Sequence, residues 1–133
     1  MTRINCIPVA ELTNQHAMAE YREIVRPFSL VRKAQENGIN RLNFRKKYKV
    51  LDEYTLGTGH VVFFFDKLAF LLNRYHELQD HLIEKHYNLS PVSDSELTRG
   101  LRAEWFNDYF PTEKAKEINR ARIAKRLSGD KTN

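Results

Sequence analysis

Residues 60–86 read HVVFFFDKLAFLLNRYHELQDHLIEKH. Val61, Phe64, Phe65, Leu68, Leu71, Leu72, Tyr75, Leu78 and Leu82 recur at steps of three and four, so they line one broad face of a helix. This spacing predicts a helix from His60 to His86 that supplies most of the core. Upstream, Ala17, Tyr21, Ile24, Phe28 and Val31 repeat the same period and predict a helix from Asn14 to Asn37, capped by Thr13 or Asn14 and stopped by Asn37-Gly38. Pro27 lacks an N–H, so the carbonyl of Glu23 loses its helical partner and the helix must kink or restart there. Downstream, a short helix is expected at Asp94–Phe106. A last helix follows Pro111, with Thr112 as cap and Ala115, Ile118, Ala121 and Leu127 facing inward. Residues 39–57 show no clean period and read as a long, partly ordered connection ending at Gly57-Thr58-Gly59. The expected fold is all-α, a single compact domain over residues 1–133 with three main helices.

Composition narrows the class. The 133 residues are 41% hydrophobic and 29% charged, which suits one globular domain. No apolar run approaches the roughly 18 residues that span a bilayer. Met1-Thr2-Arg3-Ile4-Asn5 lacks a secretory signal, so no membrane association and a cytoplasmic location are expected. The single cysteine, Cys6, excludes a disulfide framework, points to a reducing compartment and reads as a buried structural thiol. The net charge of +5 is unevenly distributed. Residues 32–49 carry +6, residues 50–111 carry −5 and residues 112–133 carry +4. Two basic segments around an acidic middle suit a polyanionic partner, because phosphate neutralisation depends on local lysine and arginine. The same runs also fit ordinary solvated faces.

Few residues are arranged for chemistry. His76, His81 and His86 recur every five residues and diverge around a helix by about 140° per step, which does not make a metal site. Gly57-Thr58-Gly59 is too short for a phosphate loop. Arg22 and Arg26, four apart, share a helical face beside Glu23, with His16, Glu20 and Glu23 along one side. The set fits an ion-pair network, and equally a phosphate clamp next to a general acid/base. Thr2 is the other candidate. Removal of Met1 would expose its α-amine, whose pKa of about 7.7–8.0 leaves roughly a third of it neutral at pH 7.5. Such an amine is competent to attack an electrophilic sugar carbon, whereas most chain ends are merely frayed.

Met1-Thr2-Arg3-Ile4-Asn5, Glu11-Leu12, Gln15-His16 and Met18-Ala19-Glu20-Tyr21-Arg22-Glu23 with Arg26 together resemble the pyrimidine-dimer DNA glycosylase/AP lyase family. The resemblance continues through Val31-Arg32-Lys33, Asn37-Gly38, Gly57-Thr58-Gly59-His60-Val61 and Phe63-Phe64-Phe65-Asp66-Lys67-Leu68, and resumes at Asp108-Tyr109-Phe110-Pro111 and Ala121-Arg122-Ile123. It implies an N-terminal segment threaded between the helices and a Schiff base formed by the amine of Thr2 at C1′ of the damaged nucleotide. Glu23 would stabilise the sugar's positive charge, and β-elimination would then nick the strand. Arg3, Gln15, His16, Arg22, Arg26, Arg32, Lys33, Arg122 and Arg126 are the implied DNA-contacting set. The implied partner is lesion-bearing double-stranded DNA, bound by a monomer without metal or cofactor. The chain departs from the family in having no aromatic residue after Phe110, a longer basic connection after Gly38, and Pro27 just past Arg26. These departures leave open an AP lyase, a glycosylase for other damaged bases, and a non-catalytic DNA-binding module.

Overall fold

The computed structural model describes residues 4–128, so Thr2 and Arg3 lie outside the described residues. Within that span the regular structure is helical: α1 (Asn14–Glu23), α2 (Arg26–Glu36), α3 (Phe44–Lys47), α4 (Leu68–Glu84), α5 (Asp94–Thr98) and α6 (Glu113–Leu127). Short 3-10 turns occur at Val9–Glu11, Val62–Phe64 and Ala103–Trp105. The all-α expectation holds.

The expected first helix is two helices. Thr13 caps α1, its hydroxyl accepting from the His16 N–H at 3.1 Å. α1 stops at Glu23 because Pro27 cannot return a hydrogen bond, and α2 restarts with that proline in its first turn. α2 ends as its sequence dictates. Gly38 takes φ +83°, and the N–H groups of Gly38 and Ile39 close onto the carbonyls of Gln35 and Ala34, each at 3.0 Å.

The central helix is shorter than expected. α4 begins at Leu68, not His60, and its buried stripe is Leu68, Leu71, Arg74, Tyr75, Leu78 and Leu82. The run Val61-Val62-Phe63-Phe64-Phe65 has poor helix propensity and folds back into an aromatic cluster instead. Phe63 and Phe64 meet edge to face at 5.1 Å, and Tyr54, His60, Phe70 and Tyr109 pack around Phe64. Carbonyls freed at the break find side chains: Lys67 donates to the Phe63 carbonyl at 2.9 Å and Asn107 to that of Asp66 at 3.0 Å.

The expected helix 94–106 is also divided, because Gly100 turns the chain at φ +74° between α5 and the turn at Ala103–Trp105. Trp105 is fully buried against Phe44 at 5.3 Å. Its indole N–H, with the Arg102 N–H, donates to Gln35 Oε1. Phe44 and Tyr54, both buried, tie residues 39–57 to the core, so this connection is more ordered than its sequence suggested.

Ile4–Ile7 are all buried, yet they belong to no helix, so their backbone groups need partners. The Ile4 N–H donates to His60 Nε2 at 2.8 Å, and the Tyr54 hydroxyl donates to the Ile4 carbonyl at 2.9 Å. Asn119 Oδ1, from the middle of α6, accepts from the N–H groups of Cys6 at 2.6 Å and Ile7 at 3.2 Å. Arg74 of α4 donates to the Ile7 carbonyl at 2.7 Å. The segment is thus threaded between α1, α4, α6 and the turn before α4. This sets the inward face of α6. Ala115, Asn119 and Ile123 are buried, whereas Ala121 and Leu127, expected inside, are exposed. Asn119→Ala should cost about 2–6 kcal/mol, since two buried N–H groups lose their acceptor at about 1–3 kcal/mol each. Urea unfolding measures this, and a loss below about 1 kcal/mol would mean that these amides find other partners.

Candidate active site

The polar residues around Glu23 separate by environment. Glu20 is fully buried. Its Oε1 accepts from Asn5 Nδ2 at 2.8 Å and from the Arg74 guanidinium at 3.1 Å, and Arg74 Nε donates to its Oε2. Glu20 is therefore a structural carboxylate that fixes the N-terminal segment. Glu23, one turn further on, is half-buried, and its carboxylate makes no hydrogen bond or ion pair among the described residues. An available carboxylate suits a general acid/base or a stabiliser of positive charge. Arg22 and Arg26 are exposed, and neither has an ion-pair partner among the described residues. The expected continuous helical face does not join them, because α1 ends and α2 begins between them. Ile24 and Val25 nevertheless keep right-handed dihedrals, so the chain goes on turning in the helical sense.

Thr2 and Arg3 are not described, but the chain that leads to them is. Ile4 is held on both its N–H and its carbonyl, and Asn5 is held on both its amide groups: Asn119 Nδ2 donates to Asn5 Oδ1 at 2.7 Å. His60 Nδ1 lies 2.6 Å from the Thr55 carbonyl, which makes Nδ1 the protonated nitrogen and leaves Nε2 as the acceptor for Ile4. Sequence reasoning missed Asn5, Tyr54, His60, Arg74 and Asn119. Only Gly57-Thr58-Gly59-His60 carried a signal. It is a turn, with Gly59 at φ +88°, that presents His60 to the Ile4 N–H.

Gln15, His16 and Arg126 gather at the other end of α1. Burial, and then the charge of Arg126, lower the pKa of His16 and favour the neutral imidazole, with Nδ1 2.9 Å from the Thr13 hydroxyl. Gln15 is exposed and Arg122 half-buried. This end is about 10 Å from Glu23 along the helix axis. Arg32 faces elsewhere. Its Nε donates to the Arg99 carbonyl at 2.8 Å and its NH2 to that of Leu97 at 2.7 Å, which caps the end of α5. Lys33 is exposed. Arg120, next to the implied set, is engaged in two bonds to Glu11, at 2.9 and 2.8 Å. Among the described residues no group of three His, Cys, Asp or Glu side chains is placed to hold a metal ion. No described helix is long and apolar enough to cross a membrane.

The arrangement is a buried N-terminal segment anchored to Glu20 of α1, with the accessible Glu23 carboxylate one turn further along that helix and exposed Arg22 and Arg26 on either side of it in sequence. The family model described as pyrimidine dimer DNA glycosylase matches residues 1–94, which takes in this segment, α1, α2 and α4 but not α6. With 94 of the 133 residues matched, the chain belongs to the pyrimidine dimer DNA glycosylase family and is a DNA-repair glycosylase.

Proposed function

We propose that the enzyme removes pyrimidine dimers with the α-amine of Thr2 as nucleophile and then nicks the strand as an AP lyase. As the C1′–base bond breaks, the sugar develops positive charge that the Glu23 carboxylate stabilises. The neutral amine bonds to C1′, the base departs with a proton, and the sugar ring opens to a protonated imine. Loss of a C2′ proton then expels the 3′ phosphate by β-elimination. Arg22 and Arg26, with Arg3, bind phosphates beside the lesion, and their charge disfavours protonation of the amine. Gln15, His16, Arg122 and Arg126 contact the strand at the other end of α1, and Lys33 contacts it from α2. Arg32 acts through the position of α5. The enzyme acts as a monomer on double-stranded DNA in the cytoplasm and needs no cofactor, because the nucleophile is the chain itself.

The observation that carries this reading is the Asn5–Glu20 bond at 2.8 Å. It ties the third residue after Thr2 to the side chain one turn before Glu23. Three residues of chain reach about 10 Å, and one helical turn is about 5 Å, so this anchor is compatible with the Thr2 amine reaching the Glu23 carboxylate. The base must leave the stack for C1′ to be reached, and a dimer already weakens that stack.

Borohydride reduction on a dimer-containing duplex should trap a covalent complex with protein whose Met1 has been removed. Protein that retains Met1 should bind the same duplex and trap none. Equal trapping by both forms would exclude the Thr2 amine. Glu23→Gln should lower single-turnover strand cleavage by at least 10²-fold while DNA affinity stays within a few-fold. Cleavage at the wild-type rate would remove Glu23 from the mechanism.

A further inference from the structure

Beyond the C-terminal end of α2, an 11-residue helix about 16 Å long, lies a basic lobe that the mechanism leaves unused. Residues 39–51 contain Arg41, Arg45, Lys46, Lys47 and Lys49 and no acidic residue. Acids from elsewhere answer the two arginines: Arg45 pairs with Asp52, and Arg41 lies 3.6 Å from Asp66. Lys46, Lys47 and Lys49 have no ion-pair partner among the described residues. Lys46 and Lys47 line a cleft of about 620 Å³ together with Asn37, Ile39, Asn43 and Tyr48. Tyr48 is 37% exposed, its ring set edge-on against Phe65 at 5.6 Å.

Three properties separate this lobe from an ordinary solvated face. Its unneutralised charge is concentrated on one concavity. That concavity has an aromatic wall and amide side chains, a combination that accepts a phosphate on the ammonium groups and a sugar or base against the ring. The scaffold is also ordered in advance. Asn40 and Asn43 exchange bonds across the turn, each side chain accepting from the other residue's N–H at 2.9 Å. Phe44 anchors α3 in the core. Binding there orders little besides the lysine side chains.

We infer that this cleft is a second DNA-backbone site, in which Lys46 and Lys47 neutralise phosphates of the duplex outside the lesion and Tyr48 packs against the sugar–phosphate chain. The inference rests on the DNA reading above and assigns a surface to it. Because the cleft lies past the C-terminal end of α2 and contains none of the residues of the proposed mechanism, the site contributes affinity and residence on DNA rather than chemistry.

The test is the salt dependence of binding to an undamaged duplex and to a dimer-containing duplex. Each phosphate contact contributes about 0.9 to the slope of log K against log salt. Lys46→Gln combined with Lys47→Gln should reduce the slope by about 1.8 on both duplexes, and single-turnover cleavage at saturating enzyme should stay unchanged. Lys85→Gln, remote in sequence from the lobe, should leave the slope as in wild type. An unchanged slope in the double variant, with wild type binding normally, would overturn the second site and leave the proposed function standing. A wild-type protein that binds neither duplex would overturn both.

Discussion

The structure depends on burying four residues of non-helical chain, Ile4–Ile7, inside a helical protein. Backbone groups placed there have no water to fall back on. They are satisfied by side chains from distant elements: His60 and Tyr54 before α4, Arg74 within α4, and Asn119 within α6. Each of these residues is buried, so each brings its own desolvation cost, which only a complete network offsets. The Glu20–Arg74 pair illustrates the balance. A buried ion pair is weak support for net stability, and breaking one partner is strongly destabilising. Its contribution is definition: Glu20 holds Asn5 while Arg74 holds Ile7, which sets the register of the segment against α1 and α4.

That register matters to the proposed mechanism because Thr2 lies three residues before Asn5. An amine on a mobile terminus samples many positions. In the proposed mechanism the anchoring of Ile4 and Asn5 limits the reach of the Thr2 amine, and confinement of a nucleophile is a large part of catalysis. Cys6, on the same segment, is the residue a search for nucleophiles would find first. Burial pushes its thiol up to about 11, so it packs as a small apolar group and does not compete. In the proposed mechanism nucleophile and core share one segment of chain.

Much of the fold is legible in the sequence, and the failures have physical causes. The α1 cap at Thr13, the stop at Gly38, the break imposed by Pro27 and the cap at Thr112 are local, and each is where the residues put it. Phe63, Phe64 and Phe65 fit a helical stripe by spacing but gain more by packing edge to face around Tyr54 and Tyr109, so α4 starts late. Ala121 and Leu127 look inward by hydrophobicity. The orientation of α6 is decided instead by Asn119, whose partner Asn5 is 114 residues away. For the site, the acidic cluster was legible but the division of labour was not. Glu20 and Glu23 are alike in sequence, and only the position of Arg74 shows that one is structural and the other available.

The central claim is that the reacting group is the terminal amine held by this segment. The most direct measurement is peptide mapping by mass spectrometry of the borohydride-reduced protein–DNA complex after protease and nuclease digestion. The account predicts that the reduced sugar adduct sits on the N-terminal peptide beginning at Thr2, attached at its α-nitrogen. An adduct on a lysine side chain, with the Thr2 peptide recovered unmodified, would contradict it.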